Sequence, residues 1–278
     1  MAARGAIFAL VIPSFLLVAF SSAHDFVQFG YGGATGPNYW GSLNQEFALC
    51  TKGKQQSPID IANDVVSYDP EMESLTRDYD TANATLVDNG INIGLRFHDT
   101  VGEVVVHGKN YTLKQLHWHS PSEHTINGQR FPVELHLVHI SEDGNITVVA
   151  ILYKYGHADP FLFQVDRYLY TMRDKVAELA KENCSGDEEA HIPAGAVRVK
   201  SLRRRTRKYF RYVGSLTTPP CTENVIWNIL GKVREMTEEQ VAALRAPLSA
   251  GYKNNSRPTQ PINGRTVQLY DESPRKSP

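Results

Sequence analysis

The sequence predicts a mainly β (α+β) single domain with a few helices, and three observations carry that reading. From Thr85 to Tyr153 one strand-like run follows another, punctuated by Gly, Asn and Asp. Only one long stretch, Leu162 to Leu179, steps its apolar residues by three and four. No internal repeat or long linker divides the 278 residues, a length that a β-rich chain can hold in one domain.

The elements follow in order. Arg4 gives a short positive region, Ala6 to Phe20 is an apolar run, and Ser21-Ser22-Ala23 supplies small residues at a cleavage site. This predicts a signal peptide over residues 1–23, since the run is shorter than the ~20 residues of a membrane span. The folded domain is expected over 24–272 and a polar tail over 273–278. No later segment is apolar enough to span, so no membrane association is expected after cleavage. Within the domain, Val101 to Val106, Tyr111 to His119, Pro132 to His139 and Asn145 to Tyr153 carry the β-branched and aromatic residues of strands. Leu162, Val165, Leu169, Met172, Val176 and Leu179 mark a helix. A shorter one opens at Thr237, with Gln240 three residues on as a capping box, followed by Val241 and Leu244.

Composition excludes some partners. A net charge of −1 argues against nucleic acid or an anionic membrane surface. The basic stretch from Arg203 to Lys208 reads as a solvated strand edge. A secretory route explains three cysteines, Cys50, Cys184 and Cys221: an oxidising compartment favours one bridge and leaves one thiol over. It also explains five Asn-x-Ser/Thr sequons, starting at Asn83, Asn110, Asn145, Asn183 and Asn254, which together fit a glycoprotein.

The chemistry sits in the histidines. Five of the ten fall between positions 117 and 139. Side chains on a strand alternate faces, so His117 and His119 point one way and Trp118 the other. On the next strand Glu134, His136 and Val138 share a face. If the two strands are neighbours, three imidazoles converge. Three neutral nitrogen ligands with one open position are what a catalytic zinc needs. Gln115 and Glu134 lie on the same faces, placed to accept the other ring N–H of a ligand and fix its tautomer. The turn from Gly214 to Cys221 brings two threonines before two prolines, and Glu123 offers a carboxylate to take a threonine hydroxyl proton. Two rivals stay open at this point. His117-x-His119-x3-Glu123 mimics half of a cupin metal signature, though the other half is absent. A non-catalytic binding or storage glycoprotein on the same fold is the second.

Together these segments closely resemble the α-class carbonic anhydrases: Gln56 to Ile61, Gln115 to His119, Ser122-Glu-His124, Glu134 to His139 and Gly214 to Pro220, with Gly36 to Trp40 and Arg257 to Pro261 matching the family's two ends. The resemblance runs from Phe29 to Tyr270, and the leader, sequons and cysteines look most like secreted plant members. It implies a large central twisted sheet, mixed but mostly antiparallel, with peripheral helices. It implies zinc on His117, His119 and His136, and reversible hydration of carbon dioxide to bicarbonate by zinc-bound hydroxide. That family is the standard example of zinc lowering the pKa of bound water to about 7. By the same resemblance, Thr217 orients the hydroxide with Glu123 as its acceptor. Thr218 lines the polar side, while Val138, Val148, Leu216 and Trp227 form the carbon dioxide pocket. Tyr31 and Asn89 order proton-carrying waters. Cys50 pairs with Cys221, leaving Cys184 free. The implied address is outside the cell or, by the secretory route, the plastid. One position departs from the pattern. Active members often carry a proton-shuttling histidine after Asn-Gly, and here Ile91 follows Asn89-Gly90. Gly94 stands where a polar rim residue is common.

Overall fold

The computed structural model describes residues 29–181, 189–203 and 206–273. The expected signal peptide, Asn183, Cys184, Arg204, Arg205 and residues 274–278 lie outside the described residues. Ten strands form a continuous path: β1 (Val66–Tyr68), β2 (Thr81–Asp88), β3 (Ile93–Phe97), β4 (Lys109–His119), β5 (Val133–Ile140), β6 (Ile146–Tyr155), β7 (Ala190–Arg198), β8 (Lys208–Ser215), β9 (Glu223–Leu230) and β10 (Val267–Asp271). Their order across the sheet is β7-β2-β3-β4-β5-β6-β9-β8-β10-β1. The β6–β9 and β10–β1 pairs are parallel and the other pairs along this path antiparallel, so the sheet is mixed and mostly antiparallel as expected.

Strand alternation divides the core between two faces. On β4 and β5, Leu116, Trp118, Leu135 and Leu137 enter one apolar cluster with Phe161, Leu169 and Met172. Helix α1 (Asp166–Lys181) covers that face through Leu169 and Met172. Leu162, expected in this helix, sits in a separate 3-10 turn, Leu162–Gln164. That turn is capped by the Asp159 side chain, which accepts the N–H groups of Phe161 and Leu162. Val138, Val148 and Trp227 face the other way, in a second cluster with Ile59, Ile61 and Tyr212. Helix α2 (Glu238–Arg245) opens on the expected capping box of Thr237 and Gln240. A third cluster of Phe29, Trp40, Cys50 and Cys221 closes the N-terminal end, with Tyr31 and Ile91 packed against it. The Cys50–Cys221 disulfide lies in it, with Cα atoms 5.0 Å apart.

Candidate metal centre

Antiparallel register sets His136 opposite His117 and Glu134 opposite His119. Directly opposed residues share a face, so the three imidazoles meet. Ring centroids lie 5.0 Å (His117–His119), 5.2 Å (His117–His136) and 4.7 Å (His119–His136) apart. One nitrogen of each ring comes within 4.8 Å of the other two.

The outer nitrogens determine which atoms face inward. His117 Nδ1 donates to Gln115 Oε1 at 2.8 Å, His119 Nδ1 to the Asn255 carbonyl at 2.6 Å, and His136 Nε2 to Glu134 Oε1 at 2.8 Å. The inward atoms are therefore Nε2 of His117, Nε2 of His119 and Nδ1 of His136. Burial holds all three rings below the ordinary imidazole range, His117 well below it with help from its two neighbours. Neutral rings keep inward lone pairs. His119 Nε2 is buried with no partner. A buried unsatisfied polar atom costs ~1–3 kcal/mol, and a cation among three lone pairs would satisfy it. The donor set fits Zn2+, which accepts neutral imidazoles in a catalytic site and leaves a position open.

Glu134 serves more than His136. Its Oε1 also accepts His124 Nδ1–H at 2.7 Å, and its Oε2 accepts the backbone N–H groups of Glu123 and His124, both at 2.8 Å. Burial alone would raise this carboxyl; the two imidazoles and their hydrogen bonds outweigh it and hold Glu134 well below the carboxylate range. The network continues from His124 Nε2 to the Tyr212 hydroxyl at 2.7 Å, and from there to Ser57 Oγ at 2.8 Å.

Glu123 is fully buried, and burial pushes its carboxyl up to about 7. Its Oε1 accepts the Arg257 backbone N–H at 2.9 Å. The Thr217 hydroxyl lies close enough to lower the carboxyl, yet outside strict hydrogen-bond geometry, so Oε2 is left without a partner. The Arg257 guanidinium anchors this corner on Gln56 Oε1 and the carbonyls of Ser57 and Cys50.

A cavity of about 280 Å³ opens over His117 and His136. Val138, Val148, Leu216 and Trp227 form its apolar wall and Asn89, Gln115, Thr217 and Thr218 its polar side. Tyr31 and Ile91 do not line it. Tyr31 sits edge-on to Trp40 and Tyr252, and its buried hydroxyl has no partner. Asn89 Oδ1 caps its own turn, accepting the N–H groups of Ile91 and Asn92. Of the sequon asparagines, Asn83, Asn110, Asn145 and Asn254 are exposed.

Sequence reasoning missed Asn255 and Arg257. Asn255 holds His119 through its carbonyl, Ser120 through its side-chain oxygen and Ile91 through its amide nitrogen. It reads in the sequence only as the middle of a sequon, 136 residues from its partner.

A family model for eukaryotic-type carbonic anhydrases matches residues 35–271. Alpha carbonic anhydrase 7 of Arabidopsis thaliana is 42% identical over 272 residues, 95% of this chain and 94% of that protein. A crystal structure of dioscorin complexed with ascorbate superposes with a TM-score of 0.82 at 35% identity, over 90% of this chain and 100% of that one. The α-carbonic anhydrase of Thermovibrio ammonificans, complexed with the inhibitor sulfanilamide, superposes at 0.74 with 36% identity, over 87% and 99%.

Proposed function

The chain belongs to the eukaryotic-type carbonic anhydrase family, and from that premise we propose that it hydrates carbon dioxide reversibly with zinc held by His117, His119 and His136. The observation that carries this is the inward lone-pair triad, each ring fixed from behind by Gln115, Asn255 or Glu134. Bound there, zinc would act as a Lewis acid that makes water nucleophilic at neutral pH. The chain's own groups do the rest. Thr217, between the cavity and Glu123, orients the nucleophile by accepting a hydrogen bond from it while donating its own O–H toward the carboxylate. Val138, Val148, Leu216 and Trp227 hold carbon dioxide without competing for its oxygens. The polar wall, with Thr218 and Asn89, receives the bicarbonate and the water that replaces it. Ile91, where active members often carry a proton-shuttling histidine, offers neither lone pair nor charge and does not line the cavity, so no shuttle stands at that position.

The same reading covers the rest of the chain. Residues 1–23 direct secretion, 24–272 form the enzyme domain, and the exposed sequons accept glycans on the way to the cell exterior or plastid. Among the described residues no helix is long and apolar enough to cross a membrane.

The test is a metal analysis paired with a hydration assay. The secreted protein should carry about one zinc per chain and hydrate carbon dioxide. His117→Ala should lose both. Full zinc occupancy in that variant would overturn the assignment.

A further inference from the structure

Proton exit is the step that Ile91 leaves open, and the sheet offers another route; this inference rests on the hydratase reading above. One register row crosses four strands: His191 on β7 is opposite Val87 on β2, Val87 opposite Gly94 on β3, and Gly94 opposite His117 on β4. Opposed residues share a face, so the row lies on the metal-facing side. His117, Gly94 and Val87 all line the cavity, and His191 is next in the row. Gly94 has no side chain. A Cβ there would stand 2.8 Å from the Leu116 carbonyl and 3.3 Å from His117 Cβ, so the floor beside the ligand stays low. Strands are spaced ~4.8 Å apart, which puts His191 ~14 Å from His117, about five water-to-water steps of ~2.8 Å.

The surroundings of His191 hold its ring at that edge. Its side chain is 46% exposed, and Nε2 lies 3.2 Å from Glu189 Oε2. The same carboxylate grips both terminal nitrogens of Arg96, a cavity-lining residue on β3. Arg96 thus ties Glu189, and through it the imidazole, to the cavity wall. From α1, Lys175 Nζ donates to the His191 carbonyl. On β2 the nearest acid is Asp88, opposite Ala190. His98, just past β3, has its Nε2 bound to Thr85 Oγ1 at 2.7 Å.

We propose that His191 is the proton-relay residue of this chain. The neutral ring presents Nε2–H to Glu189 and keeps Nδ1 as an acceptor. A proton released into the cavity water travels across Gly94 and Val87 and adds at Nδ1. Glu189 steadies the imidazolium until Nδ1 gives the proton to solvent buffer, and the neutral ring is restored.

The test uses the zinc-loaded protein and stopped-flow hydration at low concentration of a bulky buffer. His191→Ala should lower kcat by ~10-fold, the low end for a positioned acid–base group, with kcat/KM unchanged. Added imidazole should restore kcat, and His191→Gln, which keeps an amide toward Glu189 but does not titrate, should behave like His191→Ala. In the metal-free wild type, nitrogen NMR of the His191 ring should show the tautomer with Nε2 protonated and Nδ1 bare. His98→Ala should have no effect. The relay is overturned by an unchanged kcat in His191→Ala, by a parallel fall in kcat and kcat/KM that imidazole does not rescue, by a ring that carries its proton on Nδ1, or by an effect of His98→Ala alone. A zinc-loaded wild type without hydratase activity overturns the functional reading and the relay together, and is told apart by that.

Discussion

Replacing Glu134 by Ala removes the acceptor of four hydrogen bonds at once. Two are backbone N–H groups, of Glu123 and His124, and two are imidazole N–H groups, of His124 and His136. The site is fully buried, so no bulk water replaces the lost carboxylate. Each orphaned backbone donor costs ~1–3 kcal/mol. The two together give about 4 kcal/mol, before any cost from the imidazoles. Against a typical total of about 5–15 kcal/mol, that leaves a marginal fold. The metal-binding effect is separate. Without its acceptor His136 can take the tautomer that protonates its inward Nδ1, and loss of such an orienting partner weakens metal binding by about 10–100-fold. Glu134→Gln separates the two effects. It is isosteric and can still accept at one oxygen, so it should lose less stability while still weakening zinc. Urea unfolding of the metal-free protein reads the first quantity and zinc competition against a chelating dye reads the second. Wild-type zinc affinity in both variants would refute the claim that Glu134 fixes the His136 tautomer. An unchanged urea midpoint for Glu134→Ala would refute the hydrogen-bond argument.

Three further outcomes are expected. The Cys50–Cys221 bridge spans 171 residues, so on the chain-entropy model its reduction should cost up to ~5 kcal/mol of stability; an unchanged urea midpoint after reduction would rule this out, and non-reducing peptide mapping should find Cys184 free. Burial lowers His139 to about 3; the unfolded chain then binds a proton near pH 6.5 that the native state refuses, so this contribution is intact above pH 6.5 and falls by about 3 kcal/mol by pH 4. His139→Gln should flatten that acid limb, and parallel stability curves for the two proteins would contradict the assignment. Ile91→His should raise kcat by ~10-fold or more at low buffer while sparing kcat/KM; a wild type without buffer dependence and unmoved by this change would show that Ile91 does not limit turnover, because another group carries the proton or chemistry is the slow step.

The sequence by itself determined the features that depend on local periodicity. Alternation with period two put His117, His119 and Gln115 on one face and Trp118 on the other. The same alternation split Glu134, His136 and Val138 from Leu135 and Leu137. Steps of three and four marked the helix that buries Leu169 and Met172, and Thr237 with Gln240 marked the start of the next. Periodicity is a property of neighbouring residues, so it can be read without knowing where the chain goes. It misplaced Leu162, because the cap that makes a separate turn there comes from Asp159, whose role depends on geometry rather than on apolar spacing. The motifs also carried the family resemblance, and with it the Cys50–Cys221 pairing. Only the tertiary structure decided what stands behind and beside the ligands. Asn255 reaches His119 across 136 residues, and the backbone N–H of Arg257 reaches Glu123 across 134. Ile91, expected at the cavity rim, is packed against the Phe29–Trp40 cluster instead. His191 joins the row of His117 only because β7 adds beside β2 in one register. Strand order and register fix these contacts, and they arise from the whole chain burying its two faces together, so no short stretch of sequence encodes them.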